Sequence, residues 1–224
     1  QITPNISPEK ISTKISRKDA LTKDDRVLIE NDKVIGSISL QGAIFDDLSF
    51  KNYKTTLESD DNVVFLNPKE TEDGYYIESG WTSVGNKIEV PGVDSIWKVK
   101  GDRVLNKNSE VNLEWNNGQG LIFSKTISLD DKYLFKINQQ VKNNTSSEVN
   151  LYPYAQITRN KKPDDVMGFY ILHEGFIGVF DGELKEDSYE DIKDKKISRE
   201  ANNGWLGITD KYWMTAVVPS KDEN

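Results

Sequence analysis

From Arg26 onward, apolar and polar positions alternate with the period of two that marks a β-strand. Arg26 to Glu30 and Lys33 to Leu40 flank Asn31-Asp32, a pair suited to the positive φ angles of a tight hairpin. Tyr133, Phe135, Ile137, Gln139 and Val141 alternate with Leu134, Lys136, Asn138 and Gln140. Asn143-Asn144 then turns the chain into a second alternation through Val149, Leu151, Pro153, Ala155 and Ile157. Phe176 to Leu184 and Tyr212 to Val218 read as further strands. Gly and Asn punctuate these runs, while Ala, the best helix former, occurs only five times. Helix is therefore expected only in short pieces, around Ser188 to Lys193. The pattern predicts an all-β antiparallel protein of about 12 to 15 strands, more than an immunoglobulin domain holds, in two stacked sheets. No repeat of fixed period and no Pro/Gly/Ser linker interrupts the chain, so residues 26–224 are expected to form one domain. Residues 1–25, with Pro4, Pro8 and many Ser, Thr and Lys, lack sustained periodicity and read as a flexible tether.

Composition narrows the function classes. The 224 residues include no cysteine, which removes disulfides, thiolate metal sites and cysteine nucleophiles. A single histidine, His173, excludes a zinc site built on several imidazoles. Basic residues number 29 against 37 acidic ones, a net charge of -8 that opposes nucleic-acid binding. The densest basic cluster, Arg159 with Lys161 and Lys162, runs into Pro163 and the acids Asp164-Asp165, the composition of a solvated turn. The longest uncharged run, Val34 to Phe45, has 12 residues and is too short to span a bilayer.

Candidate chemistry is sparse. His173-Glu174, with Asp210 and Lys211 elsewhere, supplies the residue types of general acid-base catalysis. Neighbours in a strand point to opposite faces, however, so the simpler reading is a histidine bound to backbone at a strand end. Asp46-Asp47 and Asp130-Asp131 lack the alternating oxygen ligands of a calcium loop, and Asp130-Asp131-Lys132 reads as a hairpin turn. Asn116-Asn117-Gly118-Gln119-Gly120 precedes a strand rather than a Lys-Ser or Lys-Thr and a helix, so it is a turn and not a phosphate loop. Trp81, Trp97, Trp115, Trp205 and Trp213 fit a sugar-stacking platform or the filling of a sandwich core. No catalytic, cofactor-binding or metal-ligating residue is assigned, and no cofactor is implied.

Taken in order, several of these segments resemble the large periplasmic domain of the bacterial membrane protein insertase YidC. The resemblance runs from about Arg26 to Pro219. It is carried by Gly36-Ser-Ile-Ser-Leu-Gln-Gly-Ala43 leading into Asp46-Asp47-Leu48 and Tyr53, then Leu66-Asn67-Pro68, Tyr75-Tyr76 and Gly80-Trp81. Asn116 to Leu121 with Phe123, Asp130-Asp131 with Tyr133 and Phe135, and His173-Glu174-Gly175 follow. Gly204-Trp-Leu-Gly-Ile-Thr-Asp-Lys-Tyr-Trp213 is the most specific piece.

The resemblance implies a β-supersandwich shaped like galactose mutarotase, with minor short helices and no transfer of activity. It also implies a noncatalytic, monomeric domain on the periplasmic face of the inner membrane, tethered by helices absent from this chain. Its partners would be Sec translocon components and nascent membrane proteins, with the translocon-facing stretch near Tyr152 to Asp194. The family domain continues with further strands and a helical segment, so the resemblance places these beyond Asn224. A carbohydrate-binding or mutarotase-like sandwich is the alternative.

Overall fold

A computed structural model describes residues 14–83, 85, 88–164, 166, 172–193 and 195–220. The chain divides into two compact units, residues 1–160 and 161–224, where the sequence suggests one domain. Fifteen strands and one short helix, α1 (Arg17–Ala20), make it an all-β protein among the described residues.

The first unit holds β1 (Arg26–Glu30), β2 (Val34–Ser39), β3 (Ile44–Lys54), β4 (Asn62–Leu66), β5 (Tyr75–Ser83), β6 (Lys98–Lys100) and β7 (Val104–Leu105). It continues with β8 (Val111–Asn116), β9 (Leu121–Leu129), β10 (Phe135–Asn143) and β11 (Leu151–Arg159). Seven of these strands form one sheet in the order β11-β5-β3-β2-β1-β7, with β4 also paired to β3. A second sheet runs β10-β9-β8-β6. The pairing is antiparallel except at β1 and β7, which run parallel with Leu28 opposite Val104. That single parallel pair departs from the wholly antiparallel expectation.

The two sheets face each other as a sandwich. Along β1, Val27 and Ile29 are buried between exposed neighbours, and β9 buries every second residue from Leu121 to Leu129. Aromatic rings bridge the sheets: Trp81 of β5 meets Phe123 of β9 at 5.1 Å, and Phe45 of β3 meets Phe135 of β10 at 5.5 Å, both edge to face. Trp97 stacks on Trp81 at 6.5 Å and is 2% exposed. Contacts of this kind add about 1 kcal/mol each to the area they bury.

Local chemistry closes the hairpins. Asn31 Oδ1 accepts from the backbone N–H groups of Lys33 and Val34 at 2.8 and 2.9 Å. The β1–β2 turn is thus held by a side chain, and neither Asn31 nor Asp32 takes the positive φ that the sequence suggests. Gly36 is required where it stands, since a Cβ there would lie 2.0 Å from the Asp47 carbonyl oxygen of β3.

The second unit is a four-stranded antiparallel sheet of β12 (Gly175–Phe180), β13 (Glu183–Ser188), β14 (Gly204–Thr209) and β15 (Met214–Val217), ordered β13-β12-β14-β15. The run Phe176 to Leu184 is a hairpin rather than one strand. Asp181-Gly182 turns it with φ of 50° and 89°, the left-handed pair of a tight two-residue loop. The helix expected at Ser188 to Lys193 is a turn, because Asp191 accepts from both the N–H and the hydroxyl of Ser188. Helix appears instead at α1, capped by Ser16, whose Oγ accepts from Asp19 N–H at 3.1 Å.

Candidate interaction surface

The residues singled out for chemistry are dispersed, each absorbed by its own local structure. His173 Nε2 lies 2.8 Å from the Phe176 carbonyl oxygen, a strand-end contact. Asp210 accepts from the Tyr189 hydroxyl at 3.2 Å, and the Lys211 ammonium sits over the Tyr212 ring. Asp130 Oδ1 accepts from the N–H groups of Lys132 and Leu134, closing the β9–β10 turn. Asn117 Oδ1 does the same for Gln119 and Leu121 between β8 and β9. Lys161 and Lys162 pair with Asp164 and Glu190. Asp165 lies outside the described residues. Asp46 and Asp47 face guanidinium groups: Arg26 binds Asp46 and Arg17 binds Asp47. Among the described residues no cluster of acidic or imidazole side chains is arranged to hold a metal ion. Trp81 and Trp97 sit inside the sandwich and give no surface for a sugar, so for these two the core-filling reading holds.

One buried charge is legible in the sequence once the stripe is known. Leu121, Phe123, Lys125, Ile127 and Leu129 share the inward face of β9, with a lysine at the centre of an apolar row. Lys125 is 1% exposed. Its Nζ donates to the Ser79 carbonyl oxygen at 2.6 Å and lies 5.1 Å from the centre of the Trp97 ring. Burial lowers its pKa to about 7, against a partial counter-pull from Glu78. The carboxyl of Glu78 and the hydroxyl of Tyr154 are both pushed up by burial, Tyr154 to about 12. Nothing opens this group to a substrate: it is enclosed by Trp97 and the inner face of the sandwich.

An apolar strip lies on one face of the second unit. Register puts Leu184 of β13, Val179 of β12 and Trp205 of β14 in one row across the sheet. Ile177, Gly207 and Ala216 form the next row on the same face, and Met214 stands in the row beyond. Leu184 is 56% exposed and Met214 50%, whereas Ile208 and Thr215 on the opposite face are buried. Glu186 and Ser188 of β13 and Thr209 of β14 share this face, so the exposed apolar residues form a strip bordered by polar ones, a composition suited to contact with another surface. β12, β13 and β11 fall in the stretch Tyr152 to Asp194 that the family resemblance marks as translocon-facing; residues 165, 167–171 and 194 of it lie outside the described residues.

Comparison with known proteins identifies the family of the chain. A family profile for the YidC periplasmic domain matches residues 26–224. The chain is 45% identical over 219 residues to the membrane protein insertase YidC of Pelagibacter ubique (strain HTCC1062), covering 98% of this chain and 39% of that protein. It is 39% identical over 235 residues to the YidC of Jannaschia sp. (strain CCS1), covering 100% of this chain and 38% of the relative. For the YidC of Bradyrhizobium diazoefficiens the figures are 40% over 208 residues, 92% and 33%. The chain thus spans under two-fifths of the length of these relatives. With the profile matching from the first residue of β1 to the end of the sequence, and relatives this similar along nearly all of it, the chain belongs to the YidC periplasmic domain family.

Proposed function

We propose that this chain is a noncatalytic domain that assists a YidC-type insertase by holding protein partners, either Sec translocon components or nascent membrane proteins. Its family is periplasmic, so the domain sits at the periplasmic face of the inner membrane. No described helix is long and apolar enough to cross a membrane. Anchoring by membrane helices outside this chain belongs to the proposal, as does a monomeric state.

The observation that carries the reading is the apolar strip on one face of the β12–β15 sheet, on which Leu184 and Met214 are exposed and Trp205 is half-buried. Such a face gives affinity by releasing water from apolar area, about 25 cal/mol per Å² covered, and needs no reactive group. Photo-crosslinking amino acids at Leu184 and Met214 in the full-length protein, in its own envelope, test it. Adducts with translocon subunits or newly made membrane proteins are expected there, and not from the same probe at Leu57, the fully exposed tip of the β3–β4 hairpin in the other unit. Equal labelling at all three positions, or no protein adduct, would overturn the assignment.

A further inference from the structure

β10 ends the four-stranded sheet of the first unit, paired to β9 on one side and open on the other. Its nine residues, Phe135 to Asn143, run in unbroken register with β9. The bonds just beyond its two ends show which groups face the open side. Asn144 N–H donates to the Gly120 carbonyl oxygen at 2.9 Å, and Asp130 N–H donates to that of Leu134 at 3.1 Å. Bonded pairs alternate along an antiparallel ladder, so the even-numbered residues between these points bond to β9. The N–H and C=O groups of Phe135, Ile137, Gln139, Val141 and Asn143 therefore point away from β9, where no described residue pairs with them. The other sheet ends are guarded or short. β11 carries Pro153, four of the six residues of β13 are charged, and β6, β7 and β15 have only two to four residues.

The two faces of β10 differ. Phe135, Ile137 and Val141 turn inward yet are only half-buried, whereas Leu129, Ile127 and Phe123 opposite them on β9 are buried. Gln139 shares this row, and its Oε1 is buried without a hydrogen-bond partner. Lys136, Asn138, Gln140 and Lys142 stand outward, all exposed. The two lysines face Ser128 and Ile122 across β9, and neither is ion-paired. We propose that β10 is a docking edge at which an extended, acidic and apolar segment of a partner protein adds as a further strand. Its apolar side chains continue the inward row, and its acidic ones meet Lys136 and Lys142. Strand addition pairs the open backbone groups, while the alternate side chains set specificity. Acidic residues are selected because the two lysines are the only charges on the outward face of β10. The same lysines work against a second copy of the chain. Two β10 strands paired antiparallel along their full length meet at Gln139, which sets Lys136 of one opposite Lys142 of the other. Like charges directly opposite repel. The edge belongs to the first unit, and its use does not depend on the strip of the second.

Hydrogen–deuterium exchange of the whole chain with a synthetic nonapeptide, Val-Glu-Val-Thr-Val-Thr-Val-Glu-Val, tests the edge. Laid antiparallel along β10, this probe sets a glutamate against each lysine. In the free chain the amides of Phe135, Ile137, Gln139 and Val141 should exchange faster than their β9-bonded neighbours. With peptide at about ten times its dissociation constant they should slow about tenfold, while the amides of β1 do not change. N-methyl groups on the three central valines remove donors that face β10 and keep the side chains, so that peptide should give no protection. Lys136→Glu combined with Lys142→Glu, both at exposed positions, should shift the preference to a peptide with lysine in place of glutamate. No slowing of the four amides by the glutamate peptide would overturn the proposal, as would equal slowing by its N-methylated form. Slowing without peptide that grows with the concentration of the chain would assign the edge to self-pairing and overturn it too.

Discussion

Replacing Lys125 with methionine should make the first unit more stable, by an amount that depends on pH. The lysine sits in the row Leu121, Phe123, Ile127, Leu129, where methionine matches its length and removes the charge. Its pKa falls from the usual 10.5 to about 7 on folding, which corresponds to roughly 5 kcal/mol of preference for the neutral amine. Between pH 7 and 10.5 the unfolded chain carries a proton on this side chain that the folded chain largely lacks. Unfolding therefore takes up a proton in that window, and stability rises with pH, by about 2 kcal/mol from pH 7 to 9. Methionine abolishes this dependence. It also loses the bond from Nζ to the Ser79 carbonyl oxygen, a cost of about 1 to 2 kcal/mol. The net gain at pH 7 should be about 2 kcal/mol, shrinking to near zero at pH 9. Urea unfolding at pH 7, 8 and 9, followed by exchange protection of β9 amides, measures it. A variant less stable at both ends of the range, or offset by the same amount at pH 7 and 9, would refute the reasoning.

Other substitutions test other parts of the structure. Gly36→Ala drives a Cβ into the Asp47 carbonyl and should cost about 2 to 3 kcal/mol through separation of β2 from β3, seen as a lower Tm. Asn117→Ala removes the acceptor for two turn N–H groups and should cost about 1 to 2 kcal/mol by denaturant midpoint. His173→Ala loses one contact to the Phe176 carbonyl, so a change in stability of about 1 kcal/mol is expected with no loss of a chemical step. Leu184→Glu together with Met214→Glu should leave folding intact, because both side chains are exposed, and should lower partner crosslinking from Trp205.

Where alternation was regular, strands were legible along the chain: the rows of β9 and β10 repeat the period of the pleat because one face of each is kept from water, whereas β11 shows no such alternation of burial, with Pro153 and Ala155 both exposed. The sequence also contained signals that periodicity alone passes over. Asp181-Gly182 divides Phe176 to Leu184 into a hairpin, a turn set by two residues rather than by the hydrophobic run around them. At Asn31 the turn is closed by a side chain, an outcome that depends on where β2 places the N–H groups of Lys33 and Val34. His173 and Asp130 are held at a strand end and in a turn by backbone groups two to four residues away, a local outcome, whereas Asp210 accepts from the Tyr189 hydroxyl 21 residues earlier.

By itself the sequence determined the all-β class, the lack of thiol chemistry and the family, since these depend on residue types, their order and their period. The tertiary structure decided the rest. Lys125 belongs to a core row because β9 faces β5 and Trp97 across the sandwich, although it is 46 residues from Ser79. Arg17, Arg26, Asp24, Asp46 and Asp47 meet because β1, β2 and β3 are neighbours and α1 lies over them, an adjacency no local pattern records. Likewise the apolar strip of the second unit arises only when four short strands align Leu184, Val179 and Trp205 in register, so that residues up to 26 positions apart present one surface. Long-range pairing creates these sites, and it is fixed by which faces can be buried together, not by any single stretch of chain.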